Sequence, residues 1–445
     1  IFMENKNHSF GQDPIGKLLL QQALPAAVGI LVLSIYGIVD TIFVGRFVGS
    51  LGIATITVVL PISFLISSIG MSIGVGGASI ISRAYGDADE EKAFQTFGNQ
   101  IGMTLTLALL FVAIGFIFSE EILKLFGGKG DVLAPAQDYF TIILIGIPFL
   151  AWAMMCNNVI RAEGYPKVAM YTLIVPAVFN IVLDPIFIVW FDMGLKGAAW
   201  ATTISYVASA GYSLWFFVFG KSNMKMSLQR IKPNYNISSE ITSLGAVTFA
   251  RQGTVSVLAI VLNNELFKYG GELGLSMYGV ISRVMMFANF PVLGITQGFV
   301  PIAGYNHGAK LQKRVHATIK LALRSATIVA FLIFVLILIF TEPLVAIFTA
   351  DQDLIRESIP AMRKSFLATP LLAFSLIGSA YFQSVGKAKP ALLLALSKQG
   401  IFLIPLVIIM PALFGLEGIW YSFPLADTGA AIISYFFLKK ETNAI

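Results

Sequence analysis

The chain has 445 residues, of which 57% are hydrophobic and 12% charged, with a mean hydropathy of +0.81 and a formal net charge of +6. No soluble fold hides that much apolar surface, so the chain reads as a polytopic membrane protein. Its apolar runs last about 20 residues without alternation, which excludes a β-barrel, whose strands alternate over about 10.

In chain order, the opening segment IFMENKNHSFGQDP is polar and lacks a short apolar core with a small-residue cleavage site, so no removable signal peptide is expected. Twelve spans follow, at 15–42, 51–81, 94–118, 133–156, 168–190, 197–219, 239–267, 275–302, 317–340, 357–384, 390–413 and 417–438. Pro25, Pro61 and Pro185 fall inside spans and are expected to kink them. The single cysteine, Cys156, sits in an apolar run as a small buried hydrophobe, with no disulfide or Cys-based metal site to serve. Nineteen Lys and Arg, including Lys6 and Lys225, fall on the side of the N-terminus, against eight, including Lys129, on the other. This bias predicts that both termini are cytoplasmic.

The sequence repeats itself. LGIA at 51–54 matches LGLS at 273–276, YGDADEEKA from Tyr85 matches HGAKLQKRV from His307, and RAEGYPK around Gly164 matches SVGKAKP around Gly386, all at an offset of 222. GLKGAAW at 194–200 then matches GLEGIWY at 415–421 with the offset one residue shorter. A constant offset over separate segments marks an internal duplication. Each half holds six crossings, so both enter from the same side. The expected architecture is an all-α membrane protein of twelve transmembrane helices in two parallel six-helix lobes around a central cavity. The expected lobes are 1–219 and 239–445, joined by a cytoplasmic linker over 220–238.

Two acids stand out because each lies in hydrocarbon: Asp40 in ILVLSIYGIVDTIFVGR and Asp184 in FNIVLDPIFIVW. Such a carboxyl must be protonated, paired or turned to a watery cavity. Counting about 1.5 Å per residue puts Asp184 about 24 Å from the cytoplasmic start of its span, and Thr202 and Thr203 within about 10 Å of the outer surface. Asp40 lies near the outer end of the first span, so three helices bring oxygen groups to one depth. Asn180 and Asp184 are i and i+4, on one helix face. Pro185 has no N–H to give the carbonyl of Ile181. Asp40, Asn180, Asp184, Thr202 and that carbonyl make an oxygen nest suited to Na⁺ or a shared proton, and unsuited to a soft metal.

These segments carry a resemblance. YGIVDTIFVGR around Asp40, ISRAYGDADEEKA at the end of the second span, the RAEGYPK loop and FNIVLDP together resemble the multidrug and toxic compound extrusion (MATE) family, and its DinF-like subgroup in particular, over essentially the whole chain. The resemblance implies export of cationic, amphipathic compounds in exchange for H⁺ or Na⁺, with a cation site whose matching positions are Asp40, Asn180, Asp184 and Thr202. It also implies a bend of the first helix at Pro25, and Tyr36 and Asn157 as polar residues lining the same cavity. The NorM-like branch carries acids in the seventh and tenth spans, and none occurs here from Leu244 to Leu262 or from Phe366 to Tyr381.

Arg251, Arg283, Lys398 and Asp427 fall within second-half spans and are expected to form a polar network in which Asp427 neutralises a cation, with contact to an anionic substrate group as the sharper alternative. No nucleophile triad, metal-spaced cluster or ATP-binding motif is legible, so the chain is expected not to be an enzyme and to draw energy from an ion gradient. The expected partners are cationic or amphipathic small molecules and the bilayer of the cell membrane, with no nucleic acid, no cofactor beyond the coupling ion, and the chain acting as a monomer. A lipid-linked oligosaccharide flippase of the wider superfamily is the alternative function.

Overall fold

The computed structural model describes residues 8–126, 128, 130–224, 228–349 and 351–442; Lys6, Lys129 and Lys225 of the charge count lie outside them. Among the described residues the structure is helical, with no strand. The long helices of the first half are α1 (Ile15–Phe47), α2 (Ser50–Gly86), α3 (Glu90–Ile117), α4 (Leu133–Ala162), α5 (Pro166–Trp190) and α6 (Gly194–Phe219). The continuous stretch Tyr235–Gly308 breaks at Gly271, where φ is 58°, and so supplies α7 (235–270) and α8 (272–308). The rest are α9 (Gln312–Ile339), α10 (Gln352–Ser384), α11 (Ala388–Phe414) and α12 (Leu416–Thr442). Each expected span is thus a helix, commonly a few residues longer than its apolar run because polar ends continue the helical ladder beyond the hydrocarbon.

Local chemistry sets the ends. Asp89 caps α3 by accepting the N–H of Lys92 at 3.0 Å, and Glu90 and Glu91 follow in the first turn, where the helix dipole favours acids. At the close of α4 the N–H groups of Gly164 and Tyr165 return to the carbonyls of Arg161 and Ile160, and Pro166 opens α5. The helix runs unbroken across Pro25 and Pro61, whereas after Pro185 it changes to a wider π form over Pro185–Trp190.

The duplication is written in the backbone. Gly49 and Gly271, Ala88 and Lys310, and Gly164 and Gly386 are pairs 222 residues apart, and every one has positive φ. Gly194 and Gly415 form the fourth pair, at the shortened offset, with φ of 52° and 60°. α3 and α9 each have 28 residues, and the short helices after them begin at Ser119 and Thr341. Sequence identity between the halves has largely decayed while the turns that need left-handed backbone have stayed in place.

Two compact units result, one of Ile1–Ser9 and Val28–Phe249, the other of Phe10–Ala27 and Ala250–Ile445. The breaks after Ala27 and Phe249 are themselves 222 apart, so each unit is completed by the leading segment of the other half's first helix. In the first unit α7 begins against α2: a Cβ on Gly245 would stand 2.6 Å from the carbonyl of Ser72, and Arg83 pairs with Glu240 at 2.7 Å. In the second the start of α1 lies against α8, where a Cβ on Gly298 would stand 2.7 Å from the amide nitrogen of Ala23. Arg314 there donates to the carbonyls of Phe10 and Asp13 at 2.9 and 2.7 Å. Small residues allow these backbone approaches, the usual way helices associate in lipid.

The segment that follows α6 is anchored at its start. Buried Glu163 accepts hydrogen bonds from Ser222 Oγ at 2.8 Å and from the N–H groups of Asn223 and Met224 at 3.0 and 3.3 Å. Tyr165 donates its hydroxyl to the carbonyl of Lys221 at 2.9 Å. In the second half Lys387, 222 residues beyond Tyr165, pairs instead with Glu441 of α12.

Gly298→Leu should lower thermal stability by about 1–3 kcal/mol or block folding. Gly279→Ala, where nothing lies within 4 Å of the added Cβ, should be tolerated in the same detergent melt. Burial also raises the Glu163 carboxyl from 4.5 to about 7, against the opposing pull of its three hydrogen bonds. The folded chain therefore keeps a proton that the unfolded chain has lost across that window, and Glu163 makes stability fall as pH rises from 4.5 to about 7 and stay level above it. The melting-temperature difference between the protein and its Glu163→Gln variant should shrink over that window, and a pH-independent difference would contradict the assignment.

Candidate functional site

The first unit gathers its polar groups where α1, α4, α5 and α6 meet. Asp40 is 9% exposed, Asn180 and Asp184 are 0%, and Thr202 is 7%. The carboxyls of Asp40 and Asp184 lie within hydrogen-bonding reach of one another. Asn180 Nδ2 donates to Asp184 Oδ1 at 3.4 Å and to Thr202 Oγ1 at 3.3 Å. Three oxygens in this group, Asp40 Oδ1, Asn180 Oδ1 and Asp184 Oδ2, are buried with no donor among the described residues. Ionised carboxylates and amide oxygens only accept, so a facing pair of carboxyls needs a proton or a cation between them.

Two further residues complete the wall and were not singled out from the sequence. The Tyr139 hydroxyl of α4 is within hydrogen-bonding reach of Thr202, and the Tyr206 hydroxyl of α6 is within reach of Tyr36, one turn before Asp40. Tyrosines in apolar runs look like packing residues. The repeat holds the missing signal, since the counterparts of Tyr36, Asp40, Tyr139 and Thr202 are Leu258, Leu262, Ala361 and Phe423. All four lie in one buried apolar cluster with Met277, Ile281 and Trp420, and Phe402, the counterpart of Asn180, packs against it. At these five positions the duplicated fold places oxygen-bearing side chains in one half and apolar ones in the other.

The remaining candidates lie elsewhere. Asn157 donates to the Ala169 carbonyl at 2.6 Å and to Thr172 Oγ1 at 2.8 Å. Thr172 is twelve residues before Asp184, about 18 Å along α5, so the structure does not bring Asn157 to the acid pair. Lys398 and Asp427 form an ion pair at 2.7 Å, and Lys398 sits in a π-helical segment, Ser397–Leu403. Arg283 does not join them: it is exposed, with its guanidinium 5.9 Å from the ring centroid of Phe348, because a long side chain can carry its charge towards a helix end. Arg251 is half-buried and makes no ion pair or hydrogen bond among the described residues.

Twelve helices in two duplicated sets, with ionisable groups buried within apolar stretches, fit the architecture of a polytopic membrane transporter. The MatE family model matches the chain twice, over residues 25–186 and 248–409. The chain belongs to the MatE family and is a transporter, not an enzyme. It is 28% identical to the multidrug export protein MepA of Staphylococcus aureus strain MSSA476, over 95% of this chain and 93% of the relative. It is 26% identical to MepA of Staphylococcus haemolyticus strain JCSC1435, over 98% and 96%. Among solved structures, a MATE protein in complex with MaL6 superposes with a TM-score of 0.94 at 22% identity, covering 99% of both chains. An outward-facing multidrug resistance MATE transporter of the MOP superfamily gives 0.93 at 23%, covering 99% of this chain and 98% of that one. The architecture is accordingly the all-α, twelve-helix, two-lobed MATE fold.

The contrast between the halves yields a stability test. Leu262→Asp places a carboxyl within a cluster of buried apolar side chains and should cost about 3 kcal/mol or more. Asp40→Leu removes a buried charge and should leave the melting temperature unchanged or higher. Paired thermal melts in detergent check both, and equal losses would mean that the two sites are energetically alike.

Proposed function

We propose that the protein is an antiporter that exports cationic, amphipathic compounds across the cell membrane, driven by H⁺ or Na⁺ bound at Asp40 and Asp184. The supporting observation is the set of three buried acceptors without donors among the described residues, on Asp40, Asn180 and Asp184, around two facing carboxyls. An arriving cation meets hard oxygen ligands, removes the repulsion between the acids and so favours the state in which they are close. Release on the other side restores the negative charge, which attracts a cationic substrate. Coupling follows if ion and substrate prefer different states of an alternating-access cycle. The exporter names of the similar MepA proteins agree with this direction of transport. The surplus of Lys and Arg on the side of the N-terminus supports cytoplasmic termini. The chain is proposed to work as two lobes, 1–219 and 239–445, joined by 220–238, and as a monomer, with Pro25 as the bending point of α1.

The test is ethidium movement in proteoliposomes under an imposed pH gradient or an imposed Na⁺ gradient, with Asp40→Asn and Asp184→Asn alongside. The protein should respond to one of the gradients, and each variant should fall to the rate of empty vesicles while keeping its melting profile. Undiminished efflux by Asp40→Asn would overturn the mechanism.

A further inference from the structure

Arg251 is a cation in the middle of α7, and its setting shows which way it faces. At 100° per residue it falls within about 20° of Leu244, Leu258 and Leu262 around the helix. Of these, Leu258 and Leu262 belong to the second unit and are 7% and 0% exposed; Val255, about 40° away, is 37% exposed, and Val257 and Ile260 further round are 51% and 66% exposed. Arg251 thus lies on the inward stripe and not on the lipid face. Three residues on, Thr254 Cγ2 is 3.3 Å from where a Cβ of Gly400 would stand, so this face of α7 packs on α11. The acids of the second unit are otherwise engaged or distant. Asp427 is paired with Lys398 at 2.7 Å. Glu265 is fourteen residues further along α7, about 21 Å away. A guanidinium at this depth needs an anion, and none is supplied among the described residues.

We infer that Arg251 is a substrate subsite of the second unit that takes the carboxylate, or a similar acidic group, of an amphipathic compound. The inference rests on the transport reading and extends its substrate class from simple cations to zwitterions that carry an acid as well as an amine. Arg suits the role because its fork of N–H donors matches a carboxylate in two parallel hydrogen bonds. The acid pair of the first unit remains available for the coupling ion.

The test compares rhodamine B, which has a free carboxylate on a cationic ring system, with its ethyl ester, which lacks the acid. In proteoliposomes Arg251→Gln should lower the ratio of kcat/KM for rhodamine B to that for the ester by about tenfold, and Arg251→Lys should restore much of it. In detergent the unaltered protein should bind rhodamine B about tenfold more tightly than the ester by fluorescence titration, a measurement that stands if the variant misfolds. An unchanged ratio in Arg251→Gln, or equal affinities for acid and ester, overturns the subsite. Transport of neither dye, with ethidium also static, would instead overturn the transport reading itself.

Discussion

Two carboxyls facing each other in a hydrocarbon slab set the terms for the rest of the molecule. Like charges about 4 Å apart repel by on the order of 4 kcal/mol at an effective dielectric of about 20. Coupling between sites is commonly worth about 1–3 kcal/mol, so relief of that repulsion is large enough to bias a two-state equilibrium. Asp40 comes from α1 and Asp184 from α5, and the π form that begins at Pro185 changes the helix immediately beyond the second acid. Charge at one point and irregular backbone beside it occur together in α5. The backbone carbonyls freed near such irregularity are additional acceptors for a cation.

The duplication explains how such a site can exist in a stable fold. Each half uses the same turns, at Gly49 and Gly271 or Gly164 and Gly386, and the same close helix contacts, at Gly245 with Ser72 and Gly298 with Ala23. With the scaffold held by backbone geometry, side chains at equivalent positions can diverge. The second half fills the place of Tyr36, Asp40, Tyr139 and Thr202 with Leu258, Leu262, Ala361 and Phe423, which gain packing within an apolar cluster. The first half keeps there buried acceptors without donors among the described residues, a locally unfavourable arrangement that a proton or a cation would relieve.

Much of this was legible in the sequence because hydrocarbon makes polarity conspicuous. Asp40, Asn180, Asp184 and Thr202 could be placed at one depth by counting residues, and the structure gathers them. The twelve spans followed from apolar length, and the 222-residue offset reappears in the positions of left-handed backbone. Tyr139 and Tyr206 were not legible, since an aromatic ring in an apolar run packs or donates according to neighbours that only the fold supplies. Asn157 was drawn away from the site for a related reason: an amide near a helix end meets backbone carbonyls such as that of Ala169 before it meets a cavity. The exchange of leading segments, 10–27 for the start of α7, leaves no mark on hydropathy at all.

The treatment of one position in the two halves carries the asymmetry further. Tyr206, beside Tyr36 and Asp40, corresponds at the shortened offset to Asp427. In the first half the polar group there is a phenol, which can donate or accept without bringing charge, and the charge belongs to acids left without a fixed counter-ion. In the second half the acid itself occupies the position, and Lys398 cancels it at 2.7 Å. A carboxylate with a built-in lysine has little electrostatic reason to bind a further cation, whereas a pair of acids without one changes charge whenever an ion arrives. Among the described residues the same fold thus leaves an acid pair without a basic partner in one half and Arg251 of α7 without an acidic one in the other.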